Sequence, residues 1–245
     1  TGPVKTENIV NDVNDGIAGM RRRVAAEAIT LLARNDDAFF PLQTDTMGKD
    51  IAYIGVGINK ENDFTTAMRE QFNASLFYFE DKKFNSNSRN QFIDSIVRHY
   101  KKVVIGVHNV GRFPANNFNL SNETVTFINK LQQRSRAICF VFGNAYAIKN
   151  FCSFRNLVLC YEDDAIVQQT ALELLQGKLT YKGTLPVTVC DNFRYGSGIT
   201  ASTFKLPNVS PAEVGIDQVK ISLIDSIAKD AIYMGATPGC VVMAV

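Results

Sequence analysis

The sequence predicts an α/β fold, a mostly parallel sheet with helices on both faces in three layers, and three observations carry that expectation. From residue 51 to residue 176, short runs rich in β-branched and aromatic residues alternate with segments of three- and four-residue apolar spacing. Some runs are apolar without interruption, as in Val103-Val104-Ile105, which suits strands covered on both faces. Capping residues precede the helical segments, and Gly177 follows the last of them.

Ile17, Met20, Val24, Ala28 and Leu31 recur at helical steps, so residues 15–33 are expected to form one helix. Its apolar stripe leaves Arg21, Arg22 and Arg23 largely to one side. Pro41 ends any continuation. Candidate strands follow at 51–57, 74–80, 103–108, 137–142 and 157–161. Between them lie candidate helices at 64–72 after Asp63, 91–99, 124–133 after a Ser121 or Asn122 cap, and 165–176 after Asp164. Alternation of this kind implies right-handed crossovers, with ligand-facing loops at the strand carboxyl ends. Those loops are 55–59, 108–112, 143–146 and 162–164.

Around residues 196–209 the composition shifts to Gly, Ser, Thr, Asn and Pro, the character of a connector. A new unit then opens with a capping box at Ser210-Pro211-Ala212-Glu213. Asp217 caps a further stripe of Ile221, Ile224, Ala228 and Ala231 that stops at Gly235. The expected division is a linker and helix over 1–40, an α/β sandwich over 41–198, and a linker with a partial second domain over 199–245.

With 245 residues and 46% hydrophobic content the chain can bury a sizeable core. Lys and Arg number 26 against 24 Asp and Glu, and apart from the three arginines the basic residues are scattered, so nucleic acid is not an expected partner. The apolar runs are strand-length, so no transmembrane segment is expected, and residues 1–15 lack the pattern of a signal peptide. Thr1-Gly2-Pro3 in place of an initiator Met suggests excision from a longer precursor. Five cysteines form no Cys-x-x-Cys or His-paired pattern, and Cys139 and Cys160 sit in candidate strands. Neither a metal site nor a disulfide framework is expected from them, and no cofactor motif is complete.

The most informative stretch is Phe140-Val141-Phe142-Gly143-Asn144-Ala145-Tyr146-Ala147-Ile148-Lys149-Asn150-Phe151, an apolar strand running into a Gly-Asn turn and a helical turn. With Tyr161-Glu162-Asp163 and a closing segment over 177–189, it resembles the C-terminal α/β domain of glycoside hydrolase family 3, in the β-N-acetylglucosaminidase-like branch. Ala145 stands where that family has Pro, and the resemblance covers residues 20–198. It implies that the nucleophilic Asp and the acid/base Asp-His pair lie on a separate β/α barrel, leaving no catalytic residue in this chain. In other branches this domain supplies the acid/base Glu, within a motif absent here. The segment 211–245, ending Thr237-Pro238-Gly239-Cys240-Val241-Val242, resembles the opening helix and first strand of serine β-lactamase-like hydrolases.

Residue chemistry agrees with a noncatalytic chain. Gly55-Val56-Gly57 is followed by Lys60 where a dinucleotide fingerprint needs its third glycine, so a plain strand-to-loop turn is expected. Ser226 and Lys229 match the Ser-x-x-Lys spacing, yet they precede the Pro-Gly-Cys-Val-Val strand that should come first, and they suit a solvated helix face. His99 and His108 are far apart and neither has a neighbouring carboxylate in sequence. His99 suits a helix end, and His108 suits either sugar contact or bracing of its loop, with bracing preferred. Glycoside hydrolysis needs paired carboxyl groups. Asp164 is explained as a helix cap and Asp163 as first-turn dipole compensation, which leaves Glu162 without a structural task.

His108, Asn109, Arg112, Asn144, Tyr146 and Glu162 are therefore the expected rim, facing a partner domain or a substrate. The expected function is that of a noncatalytic accessory domain, whose parent hydrolyses O-glycosidic bonds of cell-wall glycans. Expected partners are the barrel, a downstream β-lactamase-like domain and the parent's carbohydrate substrate. A free-standing sugar- or anion-binding α/β module is the alternative, and a self-sufficient hydrolase is disfavoured by the missing nucleophile-base pair. Export of the parent is implied only by the resemblance.

Overall fold

A computed structural model describes residues 16–42, 50–202, 217–237 and 239. Contacts divide the chain into two compact units, Thr1–Phe204 and Lys205–Val245. The first holds a six-stranded sheet in the order β1-β6-β5-β4-β2-β3. Its strands are β1 Thr30–Arg34, β2 Ile51–Val56, β3 Ser75–Phe79, β4 Lys102–Val107, β5 Ala137–Val141 and β6 Asn156–Leu159. β2 to β6 run parallel, and β1 joins the β6 edge antiparallel, with an irregularity between Leu31 and Ala33.

The three-layer α/β arrangement is as the sequence predicts. On one face lie α1 Ile17–Ala28, α2 Asp63–Phe72 and α5 Ala165–Leu175, and on the other α3 Ser86–His99, α4 Asn122–Arg134 and the 3₁₀ segment Ala145–Phe151. The strand period of two sorts side chains between the faces. Tyr53, Val104, Ile138, Phe140 and Val158 join the α1/α2/α5 core, while Ala52, Ile54, Val103, Ile105, Cys139 and Leu157 join the opposite one.

Local chemistry starts each helix. Asn62 and Asn85 form capping boxes with Thr65 and Ser88, the Ser121 side chain accepts from Thr124 N–H, and Asp164 accepts from Ile166 and Val167 N–H. Such caps stabilise by about 1 kcal/mol each. Ser121, rather than Asn122, is the cap of α4.

Three expectations are corrected. The helix expected over 15–33 ends at Ala28, and Thr30–Arg34 instead pairs with β6, burying Leu31 and Leu32 on opposite faces. The closing segment over 177–189 forms only the two-residue strand β7 Thr180–Tyr181, paired with β8 Ala201–Ser202. Leu185 and Phe193 nevertheless anchor the chain beyond it by burial, and Leu185 exchanges backbone bonds with Ser197 and Gly196. Finally, Cys152 and Cys190 form a disulfide, which no motif announced. Cys139 and Cys160 are free and buried as expected, and burial pushes both thiols up. Cys240 lies outside the described residues.

In the second unit, α6 Gln218–Tyr233 is capped by Asp217, whose side chain accepts from Val219 and Lys220 N–H, and Gly235 follows with φ +70°. The expected capping box at 210–213 and the segment from Cys240 onward lie outside the described residues. No helix among the described residues is long and apolar enough to cross a membrane.

Candidate functional site

Four of the five parallel strands are followed by a residue of positive φ: Gly57 (+80°), Asn109 (+54°), Gly143 (+146°) and Tyr161 (+66°). Each turns the chain off the sheet edge, and together they make the rim at the strand carboxyl ends. Gly57 has no alternative, because a Cβ there would lie 2.2 Å from the His108 carbonyl oxygen. Tyr161 is the bulky exception, at a cost of about 1–2 kcal/mol. Its hydroxyl lies 2.8 Å from Thr30 Oγ1 and donates to the Thr184 carbonyl at 3.4 Å.

His108 is the centre of the rim and is 1% exposed. Its ring stacks on Phe142, with centroids 4.5 Å apart, and both nitrogens have partners. Nε2 lies 2.8 Å from Tyr53 Oη, and Nδ1 lies 2.8 Å from Asp163 Oδ1. Burial, reinforced by the Asp163 charge, holds the Tyr53 phenol well above its usual range. Asp163 accepts from the Nδ1 N–H, and Nε2 shares a hydrogen bond with the Tyr53 hydroxyl. Gly106 makes this possible: a Cβ there would meet Tyr53 Oη at 2.1 Å and His108 Nε2 at 2.7 Å.

Asp163 gathers three donors. Gln168 Nε2 donates to Oδ1 at 2.8 Å and Asn109 N–H to Oδ2 at 3.0 Å, besides His108. Burial raises the Asp163 pKa, but hydrogen bonds and charge from His108, with the Asn109 and Gln168 bonds, outweigh it and hold the carboxyl below its ordinary value. Gln168 Oε1 in turn accepts from Phe64 N–H at 3.2 Å, and Asn109 Nδ2 donates to the Gly57 carbonyl at 3.0 Å. The network ties β2, β4, α2 and α5 together.

The other expected rim residues form a second group. Asn144 Nδ2 donates to the Arg112 carbonyl at 2.8 Å, and Asn144 Oδ1 accepts from Tyr146 N–H at 2.9 Å, leaving the Tyr146 side chain exposed. Glu162 stands apart at the end of β6. It is paired with Arg21 at 3.3 Å, and the same guanidinium meets Asp164 at 2.5 Å. Arg22 pairs with Glu173, so two of the three arginines fasten α1 to α5.

These contacts bear on three sequence expectations. His108, with no neighbouring carboxylate in sequence, has one brought from 55 residues away, and hydrogen bonds at both ring nitrogens brace it. Asp163, beside the α5 N-terminus, also accepts that bond and its companions. Glu162 has an ion-pair partner, so it is not a carboxylate without a structural task. His99 is placed as expected at the end of α3, with Nδ1 2.8 Å from the Ser95 carbonyl. In α6 the Ser226 hydroxyl donates to the Ser222 carbonyl at 3.4 Å.

Beside the network runs a groove of about 640 Å³, lined by Gly57, Asn59, Lys60, Lys82, Asn109 and Asn119 among others. It sits where β2 leads to α2 on one face and β4 leads to α4 on the other. This is the crevice at which parallel sheets of this kind take ligands. Among the described residues, no group of three or more His, Cys, Asp or Glu could hold a metal ion.

No family model and no curated protein matches the sequence. The fold does have solved neighbours. A glycoside hydrolase family 3 β-N-acetylglucosaminidase from Paenibacillus sp. FPU-7 is 14% identical with a TM-score of 0.54, over 77% of this chain and 35% of that one. A fungal multi-domain β-N-acetylglucosaminidase of family 3, described as containing a GCN5-related glucosamine N-acetyltransferase region, is 15% identical with a TM-score of 0.51, over 80% and 20%. The β-glucoside phosphorylase BglX is 16% identical with a TM-score of 0.50, over 69% and 31%. The chain thus spans about a fifth to a third of the length of these neighbours, and the fold it shares with them is that of one part of larger enzymes.

Proposed function

We propose that the chain is the noncatalytic C-terminal accessory domain of a family 3 glycoside hydrolase, its parent being a β-N-acetylglucosaminidase acting on cell-wall glycans. Its strand-carboxyl rim docks the β/α barrel that carries the chemistry. The observation that carries this reading is the state of His108. A histidine 1% exposed, with both nitrogens bonded to groups of its own chain, lies out of reach of a substrate and braces the rim. Asn144 and Tyr146 supply the polar and aromatic groups that an interdomain contact uses. Neighbours that are themselves multidomain family 3 proteins support a barrel partner.

The chain alone should then hydrolyse no aryl β-N-acetylglucosaminide. Turnover above a buffer blank, abolished by Glu162→Gln or Asp163→Asn, would sink the proposal. We further read residues 211–245 as the opening of a downstream β-lactamase-like domain, on the strength of their sequence. Export of the parent belongs to the same proposal and rests on the resemblance. The groove beside Gly57 favours a second function, a free-standing ligand-binding module. The parent reading frame separates the two: a β/α barrel encoded before Thr1 supports docking.

A further inference from the structure

We propose that the groove at the carboxyl ends of β2, β3 and β4 binds a sugar-sized ligand bearing an oxyanion, a carboxylate or a phosphate, held between Lys60 and Lys82. The inference rests on the groove itself and is tested on the chain alone. The volume of about 640 Å³ falls within the range of small-molecule sites. The crevice has a topological cause, the divergence of the loops after β2 and β4.

Charge decides the ligand class. Around the groove, Glu61 is taken by Arg69 and Glu80 by Lys83, whereas Lys60 and Lys82 have no carboxylate partner among the described residues. Two carboxylates also line the groove: Glu80, which Lys83 holds, and Asp81, which accepts the Lys82 backbone N–H at 2.8 Å. Two ammonium groups without a carboxylate partner, against one unpaired acid, favour an anion. The Asn59 and Asn119 amides, with the Ser121 and Thr124 side chains also in the lining, suit the hydroxyls of a small polyol.

Calorimetric titration of the full chain with glucose 6-phosphate, glucuronate and glucose tests this. At least one of the two anionic sugars should bind at least tenfold more tightly than glucose, and the tighter of the two identifies the oxyanion. Lys60→Gln with Lys82→Gln should weaken that binding at least tenfold at an unchanged thermal midpoint. Asp81→Asn should tighten it severalfold, an effect that mere surface disturbance would not produce. Equal affinity for all three sugars, absence of binding, or binding unchanged in the lysine double variant would overturn the proposal.

Discussion

Glu162 and Asp163 are neighbours in sequence at the same strand end, yet the first carboxylate faces water and the second is turned onto a buried histidine. The Glu162 side chain is 66% exposed and meets an Arg21 that is itself 45% exposed, whereas the Asp163 side chain is 24% exposed and meets a fully buried His108. The first pair is screened and loosely held, and exposed pairs of that kind contribute little. Removing one partner from the second strands the other in a poor dielectric. Position at a strand end therefore says little about what a carboxylate does. What it is turned towards says more.

The largest effect that would break this comparison lies at His108. His108→Ala strips the partner from both the Tyr53 hydroxyl and Asp163, and should cost about 3–5 kcal/mol in urea unfolding. Gly106→Ala should act in the same direction by driving a Cβ into the Tyr53 hydroxyl. A loss below about 1 kcal/mol for both would mean that the network is not holding the rim. Next comes the disulfide. It closes a 38-residue separation, so Cys152→Ser should cost about 3–4 kcal/mol under oxidising conditions and nothing further under reductant. An unchanged midpoint would show that Leu185 and Phe193 anchor that segment unaided.

Acid should report on the carboxylate bound to His108. The Asp163 pKa is depressed in the folded chain, so its contribution is complete above the ordinary value of 3.8 and is lost as pH falls through the lower folded value. Asp36 behaves likewise, held down by its hydrogen bonds to Arg136. Asp163→Asn should therefore lower stability at neutral pH and flatten its fall below about pH 4. An acid limb as steep as that of the unmodified chain would assign the loss elsewhere. The smallest effect belongs to the surface member: Glu162→Gln should change stability by less than about 0.5 kcal/mol.

The sheet was legible because its evidence is local. Unbroken apolar runs such as Val103-Val104-Ile105 specify doubly covered strands, and Asp164 specifies a helix start by its residue type. β1 was hidden because Leu31 continues the three- and four-residue spacing begun at Ile17, with neither Gly nor Pro at the change from helix to strand. The first turns of α3 were missed because Ser86–Asn90 carry no apolar stripe, although the Asn85 capping box marks them. The site failed for a different reason. His108 meets Asp163 across 55 residues and Cys152 meets Cys190 across 38, distances over which one sequence shows no spacing rule. Gly106 was the available signal, a glycine inside an otherwise bulky strand, which marks close approach by another group.

The most direct test of the central claim, that this rim supports chemistry performed elsewhere, is single-turnover kinetics of the intact parent enzyme carrying Asp163→Asn, measured together with its thermal midpoint. A lowered midpoint with the rate of the chemical step within about threefold of the unmodified enzyme, a barrier change of less than 1 kcal/mol, is the expected result. A chemical step slowed about a hundredfold or more at an unchanged midpoint would contradict it and place Asp163 in the active site.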